Sequence, residues 1–211
     1  MASASKPAEA EKIRITLGLL ESVERGEAKS QRRLASDLGV ALGLVNAYLK
    51  RCVNKGLVKV SEAPARRYAY YLTPNGFAEK SRLTVEYLSY SLSLFRRAKN
   101  DYIATLNAAR ERGLSRIAIL GVSDLAEIAA ICALDTGVTI VAAVDRRSEL
   151  TRFAGVPVVK SLDEIADAVD AVLVTDIDAK QETVAAIARF GRERVLAPEL
   201  FGLRGQNGSV E

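Results

Sequence analysis

The sequence predicts an α/β chain in three consecutive parts: a small helical module with one hairpin over residues 9–73, a long helix over 74–112, and a doubly wound parallel sheet over 113–203. Three observations predict it. Apolar residues recur at three- and four-residue spacing as far as Gly113, after which short apolar runs alternate with helical patterns. Charge divides at the same place, with 20 Lys and Arg against 11 Asp and Glu through Gly113 and 10 against 15 beyond it, roughly +9 and −5. Thr73-Pro74 reads as the cap and first position of a helix that continues to Gly113.

Composition removes several function classes. The chain has no histidine, which excludes imidazole general bases, histidine metal sites and Ser-His-Asp chemistry. Cys52 and Cys132 form no C-x-x-C pair, which argues against structural zinc and a disulfide framework and fits a reducing compartment. No apolar run reaches the ~18 residues that span a bilayer, and Met1 to Ala8 lack a hydrophobic signal core. The expectation is a cytoplasmic protein with no metal and no membrane partner.

In the first module Ile13, Leu17, Leu20 and Val23 mark one face of a helix over Glu9 to Glu24. Ser30 is placed to cap a second helix, with Leu34, Ala35 and Leu38 apolar and Gly39 ending it. A third helix, Ala41 to Lys55, is expected to turn Leu44, Val45, Tyr48, Leu49 and Cys52 inward. Two helices joined by a glycine turn follow the helix-turn-helix plan, in which the later helix enters the major groove of DNA. On this register Leu42, Gly43, Asn46, Ala47 and Lys50 point outward. An Asn suits an adenine edge and a Lys suits guanine or phosphate, although each is also an ordinary solvated residue when taken alone.

The next segment supplies context. Leu57 to Val60 and Tyr68 to Leu72 read as two strands around an Ala63-Pro64-Ala65 turn, a wing with Arg66 and Arg67 at its tip. Paired arginines there reach phosphates or a narrow minor groove. Gln31 and Arg32, at the start of the second helix, are further candidates for phosphate contact. The stretch SQRRLASDLGVALGLVNAYLKRCVNKGLVKV, followed by ARRYAYYLTPNGFAEKSRL, resembles the winged-helix regulators of the MarR type, especially those associated with exopolysaccharide gene clusters. The resemblance covers about Glu9 to Arg97. It implies a homodimer on a pseudo-palindromic double-stranded DNA operator, with Asn46, Lys50, Arg66 and Arg67 at the DNA.

Along the long helix Leu83, Tyr87, Tyr90, Leu94, Ala98, Tyr102, Ile103 and Leu106 form an apolar stripe too long for the small module to cover. Either a second subunit or the C-terminal domain covers it.

From Arg116 the pattern becomes strand, turn, helix, strand: RIAIL, GVSDLA, EIAAICALDTG, VTIVAAVD. Further apolar runs at Pro157 to Val159, Ala171 to Thr175 and Val195 to Ala197, with helical patterns at Leu162 to Ala168 and Ala179 to Arg189, predict a Rossmann-like sheet of about five strands. Ligands on such sheets lie beyond the strand C-termini, here at the backbone of Gly121, Val122, Ser123, Asp124 and Leu125. The fingerprint is degenerate, G-x-S-x-x-A through Gly121, Ser123 and Ala126.

Asp145 ends the second strand 24 residues after Gly121, where an acid takes a ribose hydroxyl, and Arg146-Arg147 are placed to neutralise a phosphate. The alternative, that Asp145 caps a turn and the arginines are solvated, stays open, as does a helix-cap reading of the rim residues Thr175, Asp176 and Asp178. Cys132 reads as core packing rather than a redox thiol.

This half, including AGVPVVKSLDEIAD, resembles the CoA-binding and Rex-type Rossmann domains and the small N-terminal domains of sugar O-acyltransferases, over about Arg116 to Leu200. The resemblance implies a NAD-, CoA- or nucleotide-sugar-like nucleotide, whose identity the residues leave open. The expected function is a non-enzymatic transcription regulator whose operator affinity responds to such an effector. The competing expectation is a degenerate NAD- or nucleotide-sugar-dependent enzyme with an appended DNA-binding module.

Overall fold

The computed structural model describes residues 5–26, 30–63, 67–176 and 178–201, except for the side chains of residues 5–7, 62–63 and 67–68. Two compact units, residues 1–93 and 94–211, divide within one helix. No helix among the described residues is long and apolar enough to cross a membrane.

The N-terminal unit contains α1 (Ser5–Glu24), α2 (Gln31–Leu38), α3 (Leu42–Asn54), a ribbon of β1 (Val58–Ala63) and β2 (Arg67–Leu72), and the first part of α4 (Pro74–Glu111). Its core joins Leu17 and Leu20 of α1, Leu34 of α2, Val45 and Leu49 of α3 and Leu83 of α4. The Ser30 side chain accepts the Arg33 N–H at 3.2 Å, a cap of the kind that contributes about 1 kcal/mol. At the other end Gly39 takes φ +64°, and the Val40 N–H reaches the Ala35 carbonyl at 3.0 Å, which turns the chain sharply into α3.

The ribbon is antiparallel, with Val58 opposite Leu72 and Val60 opposite Tyr70. Val58, Tyr70 and Leu72 pack on the core and Val60 is half-buried, so the alternate pair, Lys59 and Tyr71, faces out. Thr73 locks the ribbon to α4. Its N–H donates to the Leu57 carbonyl at 3.0 Å, and its hydroxyl lies 2.6 Å from the Gly56 carbonyl while accepting the Gly76 N–H at 3.0 Å.

The C-terminal unit is a six-stranded sheet in the order β5 (Arg152–Phe153), β6 (Val156–Val159), β4 (Thr139–Val144), β3 (Arg116–Leu120), β7 (Ala171–Val174), β8 (Val195–Leu196). All neighbours are parallel except β5 and β6. Alternation along β3 feeds two cores. Ile117 and Ile119 pack with Tyr102 and Leu106 of α4 and with Ala129 of α5 (Asp124–Thr136). Ala118 and Leu120 pack on the other face with Ala186 and Phe190 of α6 (Lys180–Phe190).

Two details differ from the sequence expectation. The edge strand β5 makes six strands instead of five; it is joined to β6 by Ala154 and Gly155, both at positive φ, and two residues are too few to leave a periodic signal. The expected helix at Leu162 to Ala168 is two 3-10 turns, Leu162–Glu164 and Ala166–Ala168. Such turns advance about 2.0 Å per residue against 1.5 Å for an α-helix, which lets the short crossover from β6 to β7 span the sheet.

Gly76 is the tightest joint in the N-terminal unit, since a Cβ there would sit 2.1 Å from the Leu57 carbonyl oxygen. Gly76→Ala should therefore lower the unfolding free energy of this unit by roughly 1–3 kcal/mol. Thermal melts check it, and an unchanged Tm would show that the joint yields freely.

Candidate nucleic-acid interface and the crevice of the sheet

The orientation of α3 follows from burial. Val45, Leu49 and Cys52 face the core at helical spacing, and burial of side chains of this size contributes roughly 1.5–3 kcal/mol each. The opposite side is thereby presented to solvent. Gly43, Ala47 and Lys50 are exposed there, Asn46 is half-buried at the edge, and Leu42, three residues before Val45 and on its side of the helix, is exposed in the first turn. Leu44 does not turn inward as its apolar character suggested. It is 40% exposed, because the core stripe runs through Val45 one residue further on.

Gly43 has nothing within 4 Å of a Cβ position, so the fold itself does not require a glycine there.

Other cations divide between two surfaces. Arg51 lies over the Tyr48 ring at 5.4 Å and lines a cleft with Glu79 and Glu86 of α4, away from Asn46 and Lys50. Arg32 at the start of α2 is exposed, and its neighbour Arg33 reaches Asp37 at 3.8 Å. Gln31 is partly committed within the unit, its side-chain nitrogen donating to the Tyr70 hydroxyl at 3.4 Å and tying α2 to the ribbon.

Arg66 lies outside the described residues. Arg67 opens β2 opposite Ala63, and its side chain is likewise outside the description. Lys59 and Tyr71, the outward pair of the ribbon, were missed by the sequence reading. The strand alternation Val58-Lys59-Val60 and Tyr70-Tyr71-Leu72 carried the signal.

A family model described as winged helix-turn-helix DNA-binding matches residues 14–59, from within α1 to the start of the ribbon. No curated protein matches the chain. The N-terminal unit is thus a winged helix-turn-helix DNA-binding domain, and its presence supports a DNA-binding regulator.

In the C-terminal unit the strand order reverses between β3 and β7, which places a crevice beyond their C-terminal ends. The residues expected there are gathered, and they bond chiefly to one another. Gly121 takes φ +94°, and a Cβ on it would meet the Asp176 Cβ at 2.3 Å. The close approach that requires a glycine is therefore made by the chain itself. The Val122 N–H donates to the Asp145 carboxylate at 3.0 Å. Ser123 caps α5, accepting the Ala126 N–H at 3.2 Å, while its hydroxyl donates to the Thr175 carbonyl at 2.6 Å. Asp124 is exposed and Leu125 half-buried in the first turn.

Asp145 is 8% exposed, and its second carboxylate oxygen accepts the Arg147 and Ser148 N–H groups at 2.8 and 3.1 Å, so it does cap the turn. Thr175 is not a rim residue. It is fully buried, with its hydroxyl 2.8 and 2.9 Å from the Leu120 and Gly121 carbonyls. Asp176 receives the Arg147 guanidinium at 2.9 Å and the Asp178 N–H at 2.9 Å, while Arg146 is exposed.

Neither cysteine is set up for redox work. Burial raises both thiols, Cys52 to about 11, and Cys132 packs fully buried in the sheet core. Among the described residues no group of His, Cys, Asp or Glu is arranged to hold a metal ion.

Burial is the largest influence on Asp145 and opposes ionisation, but the N–H groups of Val122, Arg147 and Ser148 together outweigh it and hold the carboxyl below its usual 3.8. A carboxyl depressed by folding adds stability that is fully present above its unfolded value and lost as pH falls through the folded one. Asp145→Asn should cost roughly 1–3 kcal/mol at neutral pH, and the gap from wild type should close on acidification below that range. Tm measured against pH checks this; a gap independent of pH would mean that the charge of Asp145 contributes nothing.

Proposed function

We propose that this chain is a homodimeric, cytoplasmic transcription regulator of the MarR-like winged-helix type, joined to a Rossmann-like effector domain and without enzymatic activity. The observation that carries the reading is the α3 surface. Gly43, Ala47 and Lys50 stand clear of the core with Asn46 at their edge, within the segment matched as a DNA-binding winged helix. Lys50 and Arg32 supply phosphate contacts, Asn46 reads a base edge, and Gly43 allows close approach. Arg66 and Arg67 extend the grip to phosphate or minor groove.

Helix α4 supports a dimer through its middle section, where Tyr87 and Leu94 of the stripe read in the sequence stay exposed, rather than through the whole stripe. Leu83 is buried in the N-terminal core, and Ala98, Tyr102 and Leu106 are buried in the C-terminal one, so the chain's own units cover those positions. Val85, Leu88, Leu92 and Phe95 stay exposed at spacings of three, four and three, the rhythm of a helix-on-helix seam. Closure of that seam across a two-fold axis sets two recognition helices about 34 Å apart, one turn of DNA.

The Rossmann-like strand order supports an effector domain. A nucleotide at the crevice has to displace the Arg147–Asp176 pair, and it approaches an α5 N-terminus already flanked by Asp124 and Glu127. Both features weigh against a phosphate ligand there. They weigh equally against nucleotide-dependent catalysis, because the hydroxyls of Ser123 and Thr175 already donate to carbonyl groups. The exopolysaccharide link rests on the sequence resemblance alone.

Selection from a random duplex pool tests the whole reading. Wild type should enrich an inverted repeat with half-sites one helical turn apart, Asn46→Ala should lose preference at one position in each half, and Leu88→Lys with Leu92→Lys should enrich single half-sites only. Failure to enrich any sequence would contradict the regulator reading.

A further inference from the structure

The C-terminal unit holds a second concave site, which shares Asp176 with the crevice but none of the other residues at which the sequence placed its ligand. A groove of about 890 Å³ runs along the β8 edge of the sheet, within the size range of small-molecule sites. Thr105 and Ala108 of α4 form one wall and Val184 and Ile187 of α6 the other. Leu196 and Phe201 lie on its lining, which is otherwise dominated by aliphatic side chains. Val184 and Ile187 are left exposed on α6. The hydroxyls of Thr105 and Thr183 are spent on helix carbonyls at 2.7 Å each, so the uncharged polar side chains of the walls offer a ligand little.

The remaining polar character is cationic. Arg112, Lys180 and Arg192 line the groove, and among the described residues none of the three has a carboxylate partner. The Arg112 guanidinium donates to the carbonyl of Glu193, the residue after Arg192, which brings Arg112 to the chain segment that carries Arg192. That single bond leaves most of the five donors of Arg112 unused. The one acid on the lining, Asp176, is engaged by Arg147. Arginines on the lining of a mainly aliphatic trough match an anion with an apolar tail. A second copy of the chain is a poorer fit, since a two-fold contact centred on this patch brings like charges together.

We propose that this groove binds a small aliphatic carboxylic acid, its carboxylate held by Arg112 and Arg192 and its chain laid between α4 and α6 against β8. This names the effector class for the regulator reading above and rests on that reading for its consequence at DNA. Because Ala109 and Leu106, next to the groove wall on α4, sit in the sheet core, an acyl chain that wedges against Thr105 and Ala108 acts on the helix that also carries Leu83 into the DNA-binding unit. Binding alters operator affinity only insofar as the DNA-bound and free states hold the acid unequally.

The test is calorimetric titration of the full-length chain with decanoate below its micelle concentration, with decanol as the uncharged control. Wild type should bind decanoate and prefer it to decanol. Arg112→Gln with Arg192→Gln should weaken decanoate at least about tenfold, the loss of a charge-assisted contact. Ala108→Phe, which fills the trough and leaves both arginines in place, should weaken both compounds.

No binding by wild type, equal binding of acid and alcohol, or an undiminished affinity in both variants would overturn the proposal. Binding only after removal of residues 202–211 would also overturn it, because the intact chain would then fill its own groove. Duplex affinity measured on the same samples separates the two readings. Decanoate binding with unchanged duplex affinity upholds the site and refutes its role as effector; no decanoate binding alongside intact duplex binding refutes the site alone.

Discussion

Burial of Val45, Leu49 and Cys52 fixes the rotation of α3, and the rest of the functional surface depends on that rotation. Because a helix turns 100° per residue, setting three residues into the core leaves no freedom in where Asn46, Ala47 and Lys50 point. Elements around α3 hold it in place. Gly39 turns the chain out of α2, the Ser30 cap fixes where α2 begins, and Thr73 ties the ribbon to α4. Each contributes on the order of 1 kcal/mol. Their joint effect is to hold α2, α3 and the ribbon in place around one core.

The fold was legible where one physical signal dominated. The α1 stripe, the Ser30 cap, the Gly39 stop and the apolar runs of β3, β4 and β7 follow directly from periodicity and backbone chemistry. Leu44 misled because its apolar character favours burial in isolation, while a neighbouring residue held the better angle. The long-helix stripe was legible only in part, with its ends buried within the chain and Tyr87 and Leu94 exposed: sequence spacing shows that a face is apolar, but not which body covers it. The edge strand β5 and the 3-10 crossover were hidden by shortness and by geometry respectively.

The candidate crevice shows the same limit in a polar setting. The residue types at Gly121, Ser123, Asp145 and Arg147 serve a nucleotide site and a self-bonded loop equally well, and only coordinates tell the two apart. Here Asp145 accepts three backbone N–H groups and Arg147 meets Asp176, so the polar atoms that a ligand would need already have partners. The groove along β8 is the converse case. Its walls come from α4, α6 and the segment after β8, which no local motif links. Its cations stand out only once it is seen that they have no acidic partner among the described residues.

The central claim is that the outer surface of α3 and the ribbon grips duplex phosphates. Its most direct measurement is the salt dependence of binding to a random-sequence duplex, for wild type and for Lys50→Ala with Lys59→Ala. The account predicts that log affinity falls linearly with log salt, with a slope shallower by about one for each lysine removed. A slope identical in the two proteins would contradict it.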